Sequence, residues 1–153
     1  MKPIYQFEQI SDHLACSGQP TEEQFKDFVA GKFDVVINLG LLDTKYALEN
    51  EKKLVLSLGM EYHHIPVVFE DPQLNELLLF ISHMNQNAGK KILVHCAANY
   101  RASAFLGLYL FAKENLLEEE LDDFVEDVWQ PNTIWKKFIV DGIAHIKSQK
   151  KQD

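Results

Sequence analysis

The fold is decided by the stretch Lys91-Ile92-Leu93-Val94-His95-Cys96-Ala97-Ala98-Asn99-Tyr100-Arg101-Ala102-Ser103. Its first part is a short, nearly continuous apolar run, which is typical of a strand buried on both faces in a parallel sheet. Residues 104–112 follow it and are almost uniformly apolar, which predicts a buried helix. Cys96 therefore lies between the carboxyl end of a buried strand and the start of a buried helix.

This position gives the segment from His95 to Ser103, which we call the cysteine loop, a predicted chemistry. Free backbone N–H groups at a helix start bind anions. The helix dipole and the nearby Arg101 both favour a thiolate, which is the nucleophilic form of cysteine. Arg101 also offers a planar fork of donors that matches two phosphate oxygens. The alternative is that Cys96 is an inert core thiol and Arg101 a surface salt-bridge partner.

The rest of the chain predicts strands that alternate with helices. Further strands are expected at residues 14–17, 34–39 and 61–67. A capping box at Thr21 to Gln24 starts a helix that Gly31 ends. Further helices are expected at residues 46–58, 74–85, 104–112, 117–128 and 135–146. The sequence thus predicts an α/β fold with a central, mainly parallel sheet of about four to five strands flanked by helices. One domain is expected over residues 1–153, with its core at about residues 10–146.

The composition argues against several classes of protein. A formal net charge of −8 and a pI near 5.2 oppose a nucleic-acid surface, which needs clustered Lys and Arg. The one basic run, Lys147 to Lys151, is explained by a solvated helix end. No signal peptide is recognisable, and no segment approaches the roughly 18 apolar residues of a membrane span, so a cytoplasmic protein without a membrane partner is expected.

The cysteines and histidines give two further predictions. With only Cys16 and Cys96, we expect free thiols and no disulfide framework. His63 and His64 are adjacent in a predicted strand, so their side chains point to opposite faces and cannot form one metal site. We predict no metal and no cofactor. The oligomeric state is not predicted by the sequence.

The cysteine loop resembles the signature of cysteine-based protein tyrosine and dual-specificity phosphatases, through His95, Cys96, Arg101 and Ser103 before a helix. The amino-terminal half is similar to the bacterial DUF442 phosphatase-like family in Ser17-Gly18-Gln19-Pro20-Thr21, Val35-Val36-Ile37-Asn38-Leu39 and Tyr62-His63-His64-Ile65-Pro66-Val67. The resemblance implies the protein tyrosine phosphatase fold. It also implies hydrolysis of a phosphorylated protein or small molecule through a phosphocysteine intermediate.

The resemblance also assigns roles to individual residues. Cys96 would attack phosphorus, and His95 would orient the loop through hydrogen bonds. Ser103 would hydrogen-bond the leaving thiolate, but an ordinary hydroxyl at a helix start explains it nearly as well. Apart from the resemblance, the place of Tyr100 inside the loop suggests that it flanks the mouth of the pocket. The substrate-binding residues would be Ala97, Ala98, Asn99, Tyr100, Arg101, Ala102 and Ser103.

The loop departs from the usual phosphatase signature by one residue. Four residues separate Cys96 from Arg101, where five are usual, and one helical position turns a side chain by about 100°. In the usual spacing Ala102 would hold the arginine position. With four residues between Cys96 and Arg101, the loop also resembles that of rhodanese-type sulfurtransferases, in which a persulfide forms on the cysteine. A sulfurtransferase is therefore one alternative, and a pseudophosphatase that binds phosphate with little or no hydrolysis is another.

A phosphatase of this type needs a general acid for the leaving alcohol. Asp71 is the first candidate and Glu70 the second, because both follow the strand predicted at residues 61–67. Asp71 precedes Pro72, so a helix N-cap is an equal alternative for it. Asp43, in the loop after another strand, is a weaker candidate, for which a cap is again the simpler explanation. Trp129 and Trp135 are expected in the core.

Overall fold

The computed structural model describes residues 5–152 of the chain. Within that range one sheet has the strand order β1-β2-β5-β3-β4. Its strands are β1 (Glu8–Ser11), β2 (Leu14–Ser17), β3 (Val35–Asn38), β4 (Glu61–His64) and β5 (Ile92–His95). All neighbouring pairs are parallel except β1 with β2. The predicted mainly parallel sheet is confirmed. β1 was not predicted, because three of its four residues are exposed and it carries no apolar run.

Helices cover both faces of this sheet. They are α1 (Glu22–Ala30), α2 (Glu51–Ser57), α3 (Leu74–Gln86), α4 (Tyr100–Glu114), α5 (Glu118–Glu126) and α6 (Thr133–Gln152). In β5, Leu93 belongs to the core beside α1 and α2, whereas Ile92 and Val94 belong to the larger core on the other face. Both faces of the strand are therefore apolar, which explains its unbroken hydrophobic run.

The structure corrects one helix prediction. The helix expected over residues 46–58 is limited to α2, and residues 46–50 are not helical. Asn50 lies at φ 59°, in the left-handed region, so a right-handed helix cannot continue backwards through it. The helix consequently begins at Glu51.

The N-cap of α3 is not the residue that the sequence suggested. The N-cap is Gln73, whose backbone N–H donates to Glu76 Oε1 at 2.8 Å. The proposal that Asp71 caps this helix, with Pro72 as its first residue, is therefore wrong. By contrast, the capping box at Thr21 is confirmed, with Gln24 N donating to Thr21 Oγ1 at 3.2 Å.

The carboxyl-terminal half behaves as its pattern indicates. Trp129 and Trp135 are buried in the larger core, as expected. The basic run from Lys147 to Lys151 lies in the last turns of α6. Among residues 5–152, no helix combines the length and the apolar character needed to cross a bilayer.

Gly18 allows the carboxyl ends of β2 and β5 to approach closely. Gly18 N donates to Tyr5 O at 2.8 Å, and Gln19 N donates to Ala97 O at 2.9 Å. A Cβ atom at Gly18 would lie 2.7 Å from Ala97 O and 2.8 Å from Tyr5 Cδ1, closer than real Cβ atoms come. Only glycine fits between the cysteine loop and the segment that precedes β1.

We expect Gly18→Ala to lower the free energy of unfolding by about 1–3 kcal/mol, because the added methyl group must push the Ala97 carbonyl away. Gly31→Ala is the matched control, since its nearest neighbours would be 3.6 Å away, an ordinary contact. That control should change the free energy of unfolding by no more than about 0.5 kcal/mol. Urea unfolding measures both, and equal effects of the two substitutions would contradict the steric argument.

Candidate active site

Cys96 lies where the central strand β5 leaves the sheet, between β2 and β3. Its side chain is buried, and its backbone N–H donates to Ser17 O at 3.3 Å. The carboxyl ends of three parallel strands therefore meet around the cysteine. In α/β sheets, ligands bind at this edge.

Asn99 makes the turn between the cysteine and α4. It is the N-cap of α4 and has φ 68°, a left-handed conformation that Asn tolerates better than most residues. Its Nδ2 group donates to Gln6 O at 2.8 Å and to Cys16 Sγ at 3.4 Å. The side chain therefore fixes a backbone conformation that glycine would adopt without such contacts.

The start of α4 offers donors to an anion. The first intrahelical acceptor is Asn99 O, which accepts from Ser103 N at 2.9 Å. The N–H groups of Tyr100, Arg101 and Ala102 precede that bond and have no acceptor within the helix. The hydroxyl of Ser103 donates to Tyr100 O at 3.1 Å, so here it is engaged by its own helix.

Arg101, within the cysteine loop, is buried, and its assignment to a surface salt bridge is wrong. Its side chain is 8% exposed, and Nη1 donates to Val67 O at 2.8 Å. Cζ lies 6.0 Å from the centre of the Phe69 ring. The residue faces a small cavity of about 10 Å³ together with Gln19, Gly40, Leu41, Thr44, Tyr46, Ala47 and Ala97. One side of the guanidinium is thus anchored while the residue borders a cleft beside the loop.

His95 and Glu51 form a buried pair behind the cysteine. His95 Nε2 lies 2.8 Å from Glu51 Oε2, and His95 Nδ1 lies 3.3 Å from Cys96 O. Burial raises the pKa of Glu51, but the facing His95 and hydrogen bonds from His95, Gln19 and Tyr62 outweigh it and hold the pKa below its ordinary value. Sequence reasoning missed Glu51, because its partner is 44 residues away and nothing in the helix pattern marks it.

Cys16 has a different environment from the active-site candidate. It lies in β2 with a fully buried side chain. Burial raises the pKa of Cys16 to about 12, although the hydrogen bond from Asn99 opposes that shift. Cys16 is therefore a thiol at neutral pH, and both cysteines are free, as predicted.

The candidate acids lie on exposed loops. Asp71 is exposed, and its Oδ1 accepts from Gln73 Nε2 at 2.7 Å. Glu70 and Asp43 are exposed as well. Among the described residues, none of these three carboxylates hydrogen-bonds to Cys96 or Arg101. We name residues 67–71 the acid loop. It is fixed by Arg101 at Val67 and by Trp135, whose Nε1 donates to Phe69 O at 2.7 Å.

A large cavity of about 680 Å³ opens beside the cysteine loop. It is lined by Tyr5, Gln19, Pro20, Thr21, Glu22, Tyr46, Ala47, Leu48, Ala97 and Ala98. Four of these residues, Gln19, Tyr46, Ala47 and Ala97, also border the small cavity. Tyr100 does not flank this mouth, because its ring stacks on Trp129 with centres 4.5 Å apart. Tyr5 and Tyr46 flank it instead.

Known structures resemble this chain over nearly its whole length. A DUF442 protein from Shewanella putrefaciens, named as an inferred phosphatase, is 34% identical, with 94% of each chain covered and a TM-score of 0.86. PTPMT1 is 17% identical, with 96% of this chain and 99% of that chain covered and a TM-score of 0.82. The core catalytic domain of the PP-IP phosphatase SIW14 from S. cerevisiae is 17% identical, with 98% and 95% covered and a TM-score of 0.76. No family model and no curated protein matches the sequence.

The first of these similarities decides the family, and the other two show the shared fold. An identity of 34% over 94% of both chains accompanies the same α/β architecture. The resemblance that the cysteine loop and the amino-terminal half suggest is thus confirmed. The chain belongs to the DUF442 family of phosphatases and has the protein tyrosine phosphatase fold.

Proposed function

We propose that the protein hydrolyses phosphomonoesters through a phosphocysteine intermediate. The observation that carries this proposal is that one loop holds Cys96, the first N–H groups of α4, which have no acceptor within the helix, and Arg101, which borders a cavity together with Ala97. The Cys96 thiolate attacks phosphorus and displaces the alcohol, which takes a proton from an acid. Water then attacks the phosphorus, the P–S bond breaks, and phosphate and the thiolate are released.

The geometry supports Arg101 as a phosphate clamp despite the short spacing. One guanidinium N–H is used on Val67 O, and a guanidinium carries five donors in all. The small cavity holds about one water-sized group, so phosphate has to widen it. The outer wall includes Leu41, Thr44, Tyr46 and Ala47, and residues 42–46 are exposed, so widening the cavity on this side would displace no buried core residue.

Family membership favours hydrolysis over the sulfurtransferase alternative, which shares only the Cys-x4-Arg spacing. The pseudophosphatase alternative differs from our proposal in turnover alone. Both alternatives are separated from it by assaying the purified protein with p-nitrophenyl phosphate and with thiosulfate.

We expect Cys96→Ser to abolish turnover of p-nitrophenyl phosphate while the binding of vanadate survives, because only the nucleophile is removed. Arg101→Lys should lower kcat/KM by about 100-fold, since an ammonium cannot make the two-pronged contact. The exposed substitution Lys137→Arg is the control and should change neither quantity. Hydrolysis by Cys96→Ser at the unsubstituted rate would refute the mechanism.

We propose Asp71 as the general acid, with Glu70 as the alternative. The acid loop is held at Val67 by Arg101, so the guanidinium and the loop that carries the acid are directly connected. Among the residues that the structure describes, the Asp71 carboxylate accepts a hydrogen bond from Gln73 alone, a contact at the surface that it can exchange for the leaving oxygen of a substrate.

Leaving-group dependence tests this acid. We expect Asp71→Asn to lower kcat for phenyl phosphate by roughly 100-fold or more, because phenolate needs a proton to leave. For p-nitrophenyl phosphate, whose leaving group is stable as an anion, the loss should be much smaller. Glu70→Gln and Asp43→Asn are matched controls that should show no such difference. If Glu70→Gln shows it instead, Glu70 is the acid.

The large cavity supports a particular class of substrate. PTPMT1 has been solved with PI(5)P, and SIW14 is named as a PP-IP phosphatase. The lining of this chain's large cavity contains one charged residue, Glu22, and two tyrosines, and the whole chain carries a net charge of −8. Extra phosphates on a substrate would meet no cation among these lining residues. We therefore propose a substrate with one phosphate on an uncharged apolar or aromatic group.

We expect Tyr5→Ala, at a residue that lines the large cavity and not the small one, to weaken binding of 2-naphthyl phosphate to the Cys96→Ser variant about tenfold, because the ring contact is lost. Binding of inorganic phosphate, which does not reach the large cavity, should stay within about twofold. Val140→Ala, an exposed apolar change on α6, is the control. Isothermal titration measures all three, and tighter binding of an inositol trisphosphate than of 2-naphthyl phosphate would overturn this substrate class.

A further inference from the structure

A directed chain of hydrogen bonds leads from the loop after β3 to Glu51. Gly40 N donates to Asn38 Oδ1 at 2.8 Å, which fixes the orientation of the Asn38 amide. Asn38 Nδ2 then donates to the Tyr62 hydroxyl at 3.0 Å. Because that hydroxyl accepts from Asn38, it donates its own proton to Glu51 Oε2, at 2.9 Å. Every donor in the chain thus points toward Glu51.

The second oxygen of Glu51 also accepts. Gln19 Nε2 donates to Glu51 Oε1 at 2.6 Å and to Pro20 O at 3.0 Å, and both partners are acceptors. Both carboxylate oxygens therefore receive donors from neutral side chains. Glu51 is 2% exposed, so a charge there needs these partners. Its lowered pKa agrees with a carboxylate that is ionised in the folded protein.

His95 is left with two acceptors. Its Nε2 faces the Glu51 carboxylate at 2.8 Å, and its Nδ1 faces the Cys96 carbonyl oxygen at 3.3 Å. An imidazole that donates from both nitrogens carries a positive charge. We propose that Glu51 is a positioning residue that keeps His95 as an imidazolium directly behind Cys96.

The charge of His95 bears on the reactivity of the neighbouring thiol. The side chain is fully buried, and the Phe25 ring packs edge-on against it with centres 5.9 Å apart, so water screens the charge little. A cation at this position favours the Cys96 thiolate. Among the described residues, three ionisable groups face His95 and Cys96 from the packed elements, namely Glu51 of α2, Tyr62 of β4 and Cys16 of β2. Arg101 of α4 donates to Val67 O on the acid loop.

The alkylation rate of Cys96 tests this inference without any phosphate ester. It rests on the proposed role of Cys96 as nucleophile, but loss of phosphatase activity would not affect the measurement. We expect Glu51→Gln to raise the midpoint of the iodoacetamide rate against pH by about one unit, because His95 becomes neutral. If His95 stayed charged without Glu51, the loss of a negative charge would lower the midpoint. A lowered or unchanged midpoint therefore overturns the proposal.

Three further variants separate positioning from a loss of structure. His95→Gln should raise the midpoint as Glu51→Gln does, and the double variant should add nothing, whereas additive shifts would contradict a shared path. Asn87→Ala removes a buried hydrogen bond to His83 O far from the cysteine loop. It should lower the Tm and leave the midpoint unchanged. A shift in this control equal to that of Glu51→Gln would show that general destabilisation is the cause.

The unsubstituted protein provides a test that needs no variant. Long-range proton–nitrogen NMR of the His95 ring at about pH 8 should show both ring nitrogens protonated. A single protonated nitrogen would overturn the proposal even if Glu51→Gln failed to fold.

Discussion

The pairing of β5 on both sides is the constraint on which the site depends. Parallel neighbours, β2 and β3, occupy both edges of this strand, and helices cover both of its faces. Since both edges and both faces of β5 are covered, the residues that follow it can be reached only at the carboxyl edge of the sheet. Cys96 is the first of these residues. Because a parallel sheet returns through helices, the next element is α4, whose first N–H groups have no partner inside the helix. The topology therefore places Cys96 directly before a helix start whose N–H groups are suited to an anion.

The same edge gathers groups that are distant in the chain. Gln19 follows β2, Gly40 follows β3, and the acid loop follows β4. Hydrogen bonds connect each of them to the cysteine loop or to the residues behind it. Gln19 and Gly40 belong to the network around Glu51, and the acid loop is bonded to Arg101. The cysteine loop is therefore connected to its neighbours by hydrogen bonds, and Asn99, in a left-handed conformation, turns the chain from the loop into α4.

The parts that the sequence predicts well are those with a local cause. The apolar run of β5, the uniformly apolar α4 and the capping box at Thr21 each carry their own signal, and the family resemblance depended on such segments. The sequence carries no local signal for the role of Glu51. A buried carboxylate needs partners, and here they are Gln19 before α1, Tyr62 of β4 and His95 of β5, which only the fold brings beside it. The sequence of β1 likewise gives no strand signal, since an exposed edge strand needs no hydrophobic pattern.

The tether from Asn99 to Gln6 has a practical consequence for anyone who handles this protein. Together with the bond from Gly18 to Tyr5, it makes residues 5 and 6 a brace against the back of the cysteine loop. Tyr5 also forms part of the wall of the large cavity. A substitution at Tyr5 or Gln6 would therefore alter the cavity wall and the support of the cysteine loop together, although Gln6 lies 93 residues before Asn99 in the chain. Both residues should be kept whenever the protein is shortened for expression.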